Sequence, residues 1–446
     1  MTVIEEEKIG REITCNIYND VDEKKLIWTI RFPMANQELN DYNYLMIYND
    51  EMEPIHGAFD FLNMNEADQS LNTRLKNQQA LKLLFCYQAI ISKELVDFTL
   101  SDINNLVSFL RGFNMGGQAI QFRNLTLRSN DTVNGYLSVY RAYLEFLGLR
   151  NRFLSASKQT LMRTDFGKGQ KYKANLKSAS PVTDVPTYIS VEQFQKIINI
   201  IRTKYSVRDE IIVRLMFQCG MRIGEVLGLT ADDVVMEKID GQYVTLAYIR
   251  NRASDKSFQN AKTVMNVHSS KQYHSKDIKV ETYGYQYVVV PKDLYSMIND
   301  YIEDVHAKAR KKNRKDYFKY TVADRIDTEK DYDDINYYIF LNKWNRPLSQ
   351  TTWNDVCRQL FSEVGIPLDK GKKEKNLNHR FRHGFAMFNV QYLHCNELEL
   401  GDRLRDSSPS AVACYFKPTV QDQIKTKEEF VKSLYDVIPE LRKEEN

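Results

Sequence analysis

The sequence predicts a multidomain, mostly helical protein. An all-α helical bundle is followed by a larger mixed α/β, mostly helical domain that carries a small antiparallel sheet. Three observations lead there. A chain of 446 residues has room for two or three domains, and 43% hydrophobic content can fill their cores. Helical periodicity dominates from residue 56 onward, broken only by short strand-like runs. A stretch at 166–188, with Gly167, Gly169, Ser178, Ser180, Pro181 and Pro186 set among lysines, separates two such regions as a linker does.

Residues 1–55 read as a β-rich segment. Ile13, Cys15 and Ile17 alternate with polar residues, and apolar runs follow at Leu26–Ile30 and Tyr44–Tyr48. This segment is either an accessory sheet or an elaboration packed on the next domain. Residues 56–165 turn helical. Ser101 and Asp102 read as a cap before Ile103, Leu106 and Leu110. From Thr132, Val133, Leu137, Tyr140 and Leu144 fall at helical spacing, with Gly148 as the stop. The aromatic stripe is expected to be core packing. After the basic linker at 166–188, residues 189–446 form the second domain, which opens on Ser190 with Gln193 as a capping box. Strands are expected at Tyr243–Ile249, from Tyr285 to Val290 and at Tyr338–Leu341. A charged helix at 427–441 closes the chain.

Composition limits the function. No run is long and apolar enough to span a bilayer, and the first residues are acidic, unlike a signal peptide. The six cysteines are scattered and form no C-x-x-C pair, so reduced thiols in a cytoplasmic protein and no zinc site are expected. Net charge is only +3. The distribution says more than the sum. Lysines gather at 168–177, basic residues at 310–315 and lysines again at 370–375; such runs are either solvated loops or phosphate-tracking surfaces. Lys168, Lys171 and Lys173 in the linker are the candidate DNA-backbone contacts.

Three stretches carry chemistry. In the first, Gly220 ends the apolar helix that runs through Ile211 to Phe217, and Arg222 and Glu225 share a face of the turn that follows. An arginine held behind a glycine stop and oriented by a carboxylate suits an anion site; a surface ion pair is the bland alternative. In the second, His379 and Arg382 lie three apart. His379 and His383 also have the spacing of a helical metal pair, but Arg380 stands where a zinc-binding helix carries Glu, and a cation beside a divalent metal is unfavourable. A structural His/Arg pair remains open. In the third, Leu404 to Pro418, Tyr415 is one of 27 tyrosines and gains meaning only from its distance to the other two stretches.

In that order, Arg222 with Glu225, a lysine in a strand region, His379-x-x-Arg382 and then Tyr415, the chain resembles the tyrosine recombinase (phage integrase) family. The resemblance covers about 188–430, and more weakly 56–165, which looks like the family's core-binding, DNA-binding domain. It implies Arg222 and Arg382 as the two catalytic arginines, Glu225 as support for the first, His379 as the histidine of the pair and Tyr415 as the nucleophile. Lys262 looks most similar to the family's lysine, with Lys271 and Lys279 as alternatives. His383 is taken as structural. One departure stands out. Nine residues before Tyr415 the family has His or Trp; here it is Asp406, and an ionised carboxylate cannot donate to a phosphate, so either Arg405, Ser407 or Ser408 supplies the contact or Asp406 points away.

The chemistry is consistent with the resemblance. A tyrosine hydroxyl attacking a phosphodiester builds a doubly negative transition state, and arginine forks supply preorganised donors worth on the order of 10²–10³ in rate each. A lysine suits protonation of the leaving 5′ oxygen. A covalent 3′-phosphotyrosine keeps the bond energy, so no metal, ATP or other cofactor is needed. The expectation is a site-specific recombinase or integrase of a mobile element, acting on double-stranded DNA as a homotetramer with no membrane association. By analogy with the family, the helix at 427–441 would link protomers, and arm-site DNA binding is open to residues 1–55. A type IB topoisomerase-like enzyme and a catalytically impaired DNA-binding relative are the alternatives.

Overall fold

In the computed structural model the described residues are 2–9, 12–18, 26–39, 42–112, 120–123, 127–155, 159–164, 167–172, 185–312, 321–322, 336–368, 377–406, 412–417 and part of 427–438. They belong to two units, Met1–Pro181 and Val182–Asn446.

In the first unit the N-terminal residues form strands β1 (Thr2–Ile9), β2 (Glu12–Tyr18) and β3 (Leu26–Ile30), then a hairpin of β4 (Met34–Leu39) and β5 (Tyr42–Ile47). Three long helices follow, α1 (Leu71–Ile91), α2 (Leu100–Arg111) and α3 (Asn130–Phe146). The expectation of an all-α bundle over 56–165 is corrected here. Ile120–Arg123 is a strand, β6, and it completes a sheet of order β3-β2-β1-β6 by pairing parallel to β1, with Phe122 opposite Ile4. Its apolar alternation covers only Ile120 and Phe122, too short a signal to stand out between helices.

Sheet and helices of this unit share one core, in which Ile4, Cys15, Leu45 and Ile47 pack with Leu81, Tyr87, Phe109 and Tyr140. The strands of 1–55 therefore bury their apolar face on helices α1 to α3 rather than on one another. Helix α2 starts one residue before the expected cap, because Thr99 and Asp102 form the capping box. Helix α3 is capped by Ser129 and followed by Gly148 at φ +68. A second correction concerns the linker. Strands β7 (Gln159–Thr164) and β8 (Gly167–Tyr172) pair as an antiparallel hairpin, so Gly167 and Gly169 are strand residues. Lys168 and Lys171 lie on β8; Lys173 lies outside the described residues.

The second unit is built around one buried helix. Helix α4 (Val191–Lys204) begins on the Ser190–Gln193 capping box that the sequence indicates. Helix α5 (Val207–Gln218) has every residue from Asp209 to Phe217 buried, so its apolar run is a helix enclosed on all sides. Phe217 stacks on Phe194 of α4, ring centroids 3.9 Å apart. After the short α6 (Ile223–Leu227) come β9 (Val234–Ile239), β10 (Gln242–Ile249) and β11 (Gln286–Val289), an antiparallel sheet with β10 in the middle.

Helices α7 (Lys292–Tyr301), α8 (Gln350–Val364), α9 (His379–Gln391) and α10 (Glu397–Leu404) complete the described framework. The indole of Trp353 donates to Asn378 at 2.6 Å and so fixes the start of α9. The expected strand at Tyr338–Leu341 is not a ladder strand. Ile339 and Phe340 are buried in the core, while Tyr338 and Leu341 make only isolated bridges and the paired residues are Asn336 and Tyr337. The described residues between 427 and 436 are helical.

Candidate active site

The site begins where α5 stops. Gly220 adopts φ +61, a left-handed turn that side chains resist, and it directs the chain straight into α6. Arg222 is the N-cap of α6. Its backbone N–H donates to Glu225 at 2.9 Å and its Nη1 donates to the same carboxylate at 2.8 Å. Glu225 thus caps the helix and orients the guanidinium at once. Its side chain is fully buried. Burial pushes the Glu225 carboxyl up, but the guanidiniums of Arg405, Arg222 and Arg382 outweigh that and hold it below the ordinary carboxylate range.

Helix α9 contributes Arg382 from a buried position. Its Nη1 donates to the carbonyl of Gly220 and its Nη2 to that of Leu404, each at 2.5 Å. The glycine that stops α5 therefore also anchors the second arginine. Burial, then Arg222, lowers Arg382 to about 10, which still leaves it charged at neutral pH. Helix α10 ends in Arg405, in the left-handed region at φ +55, and the turn sends two side chains back into the site. Arg405 donates to Glu225 at 2.8 Å. Asp406 spans both arginines, one oxygen bonded to Arg222 Nη2 and the other accepting from Arg382 Nη2 at 3.0 Å. Arg222 and Asp406 are 184 positions apart in sequence. The Asp406 carboxylate occupies the space between two guanidinium forks, where a phosphate oxygen pair would fit.

Lys262 reaches the site from residues 250–285, the long connection between β10 and β11. Two features hold it there. The amide of Asn251 donates to the carbonyls of Ala261 and Met265, and Ala261 N–H donates back to it at 2.7 Å. Gly224 and Gly228 leave α6 bare on one side, so the carbonyls of Asn260 and Gln259 approach it; an added Cβ would lie 2.9 and 2.5 Å from them. Lys262 is exposed, and its charge helps hold His379 down. Burial lowers His379 first, followed by Lys262, Arg222 and Arg382.

Tyr415 sits in the turn Ala413–Phe416 and is only 6% exposed, packed with Ala386, Met387 and Leu404. Its hydroxyl is hydrogen-bonded to Nδ1 of His383 at 2.5 Å. Burial raises the Tyr415 hydroxyl well above the ordinary phenol range. Burial, His379 and Arg382 together lower His383 to about 4, so its ring is neutral at neutral pH.

Of the residues expected from the sequence, Arg222, Glu225, Lys262, His379, Arg382, Asp406 and Tyr415 fall in one neighbourhood. Lys168 and Lys171 belong to the other unit. Three further side chains join them. Arg405, one of the residues that could replace the missing phosphate donor, is bonded to Glu225. Asn251 acts through loop carbonyls, which sequence does not display. His383, expected to be structural, touches Tyr415; its position one turn after His379 was the available signal. Among the described residues no group of three or more His, Cys, Asp or Glu side chains is arranged to hold a metal, and no helix is long and apolar enough to cross a membrane. Chemically, the site offers a pair of arginine forks, a lysine, a neutral histidine and a buried tyrosine hydroxyl, a set suited to a phosphodiester.

Residues 187–389 match the model of the phage integrase family. Transposase A from transposon Tn554 of Staphylococcus aureus (strain Mu50 / ATCC 700699) is 28% identical over 208 residues, 44% of this chain and 56% of the relative. The chain thus spans little more than half the length of the curated relatives it matches. Among solved structures, the Tn1549 transposon integrase in complex with transposon right end DNA aligns with 84% of this chain and 98% of its own, at 13% identity and a TM-score of 0.48. The XerH site-specific recombinase bound to a palindromic difH substrate aligns with 80% and 79%, at 14% identity and the same TM-score.

Proposed function

We propose that this chain, a member of the tyrosine recombinase (phage integrase) family through residues 187–389, is a site-specific DNA recombinase or integrase. It cuts and rejoins DNA strands through a covalent 3′-phosphotyrosine, without metal or ATP. Arg222 and Arg382 hold the nonbridging oxygens of the scissile phosphate. Glu225 fixes Arg222. Tyr415 attacks phosphorus, Lys262 protonates the departing 5′ oxygen, and His379 holds the phosphate or assists the proton. Residues of the first unit grip the duplex, with Lys168, Lys171 and Lys173 on its backbone, and four protomers assemble on two sites.

The observation that carries this reading is the carboxylate of Asp406 seated across Arg222 and Arg382. Two arginines from distant parts of the chain aim at one anion-sized volume, and an anion is already in it. For catalysis the Asp406 side chain must leave that volume to a phosphate; an approaching phosphate and a resident carboxylate repel each other.

The test uses a supercoiled plasmid with two copies of the DNA that flanks the coding region, incubated with the full chain in EDTA. Recombinant products confined to those sites support the proposal. Relaxation of any plasmid without rearrangement would move the reading to a type IB topoisomerase, and a gel shift with no strand transfer to a DNA-binding relative.

A further inference from the structure

We propose that His383 is a catalytic residue of this strand transfer, the group that takes the proton from Tyr415 as it attacks and returns it when the strand is rejoined. The inference rests on the recombinase reading above and adds a role that reading leaves unfilled. Tyr415 must lose a proton; Arg222, Arg382 and Lys262 are donors and do not suit its removal, and of the two histidines on α9 it is His383, not His379, whose ring nitrogen is hydrogen-bonded to the Tyr415 hydroxyl, which leaves His379 to the phosphate.

The geometry supports the assignment. Nδ1 of His383 is 2.5 Å from the Tyr415 hydroxyl, within the distance a general base needs. The rings are 5.7 Å apart and tilted by 49°, so the imidazole meets the hydroxyl through a nitrogen rather than stacking on the phenol. His383 is one turn beyond His379 on α9, whose ring lies 6.0 Å away, and it adjoins Arg382. Burial first, and then those neighbours, keep the imidazole neutral. The proton then sits on Nε2, and the Nδ1 lone pair accepts from the tyrosine O–H.

Arrival of the phosphodiester changes the balance in the useful direction. A bound phosphate offsets the charge of Arg382, which otherwise disfavours a cationic His383, and the pentavalent transition state places further negative charge nearby. In cleavage the Tyr415 Oη–P bond forms and the P–O5′ bond breaks. The tyrosine proton moves to Nδ1 of His383, and the 5′ oxygen takes a proton from Lys262. Religation reverses each transfer, so no other reactant is consumed.

The test is single-turnover cleavage of a nicked duplex that traps the covalent adduct, with wild type, His383→Ala, His383→Gln and Lys262→Ala, on two substrates. One has the natural 5′ oxygen leaving group. The other has a 5′ sulfur, which departs without needing a proton. We expect His383→Ala to slow cleavage by about 10²-fold or more on both substrates. His383→Gln, which can accept the hydrogen bond but not keep the proton, should be similarly slow. Lys262→Ala should be slow on oxygen and recover on sulfur. Gel shifts with each variant exclude misfolding, and added imidazole should restore part of the His383→Ala rate. Wild-type cleavage rates in His383→Gln, or recovery of His383→Ala on the sulfur substrate, would overturn the assignment while leaving the recombinase reading intact. Absence of any adduct from wild type on DNA it binds would overturn both.

Discussion

Replacing Asp406 by Asn should make the arginine pair a better receptor for phosphate. In the structure its carboxylate bonds to Arg222 Nη2 and to Arg382 Nη2, and the side chain is 17% exposed. A charge-assisted hydrogen bond contributes about 1.5–3 kcal/mol net. Two of them compete directly with the incoming phosphate, yet partial solvation and the hydrogen-bonding capacity of Asn keep part of the cost. The difference should amount to about one such bond, or roughly tenfold to a hundredfold in phosphate affinity. Isothermal titration with inorganic phosphate reads this directly, and single-turnover cleavage should rise in parallel. The same change leaves Arg222 and Arg382 with Glu225 as their remaining carboxylate, so the thermal midpoint should fall. Asp406→His, which brings a donor to the same volume, should accelerate cleavage further. If Asp406→Asn bound phosphate no more tightly and cleaved ten times more slowly, Asp406 would be supporting the arginines rather than occupying their site.

Other expectations follow from the same contacts. Glu225→Gln removes a fully buried carboxylate held by Arg222 and Arg405, and should cost about 3 kcal/mol or more in a denaturant titration. Because the folded carboxyl lies below its unfolded value, its stabilisation is present above about pH 4 and lost as pH falls through the lower, folded value; the variant should be less stable at neutral pH and show a shallower acid limb. Lys262→Ala should lower the cleavage rate by about 10²–10⁴ and let the His379 titration, followed by NMR, move up toward its ordinary value. Gly228→Ala places a Cβ 2.5 Å from the Gln259 carbonyl, so the segment bearing Lys262 must shift; cleavage should fall while the gel shift is kept.

Much of the site was legible in the sequence because local chemistry fixes it. Gly220 had to be a left-handed stop, and Arg222 with Glu225 had to share a turn, since both follow from helix geometry. The Ser190 capping box was equally plain. What escaped was set by tertiary contact. Ile120–Arg123 becomes a strand because β1 offers it an edge, which its own four residues do not announce. The hairpin at 159–172 hides in linker-like composition. Asp406 reads from sequence as a residue that repels phosphate; only the fold reveals that it already occupies the space between the arginines. His383 looked structural until the turn carrying Tyr415 brought a hydroxyl to its Nδ1.

The most direct test of the central claim is to identify the amino acid that carries the DNA. Full-length protein is incubated in EDTA with a nicked duplex from the flanking DNA, digested, and sequenced by tandem mass spectrometry alongside Tyr415→Phe. The account predicts a single nucleotide adduct on the peptide containing Tyr415, formed without metal and absent from the variant. An adduct on any other residue, or none from protein that demonstrably binds the duplex, would contradict it.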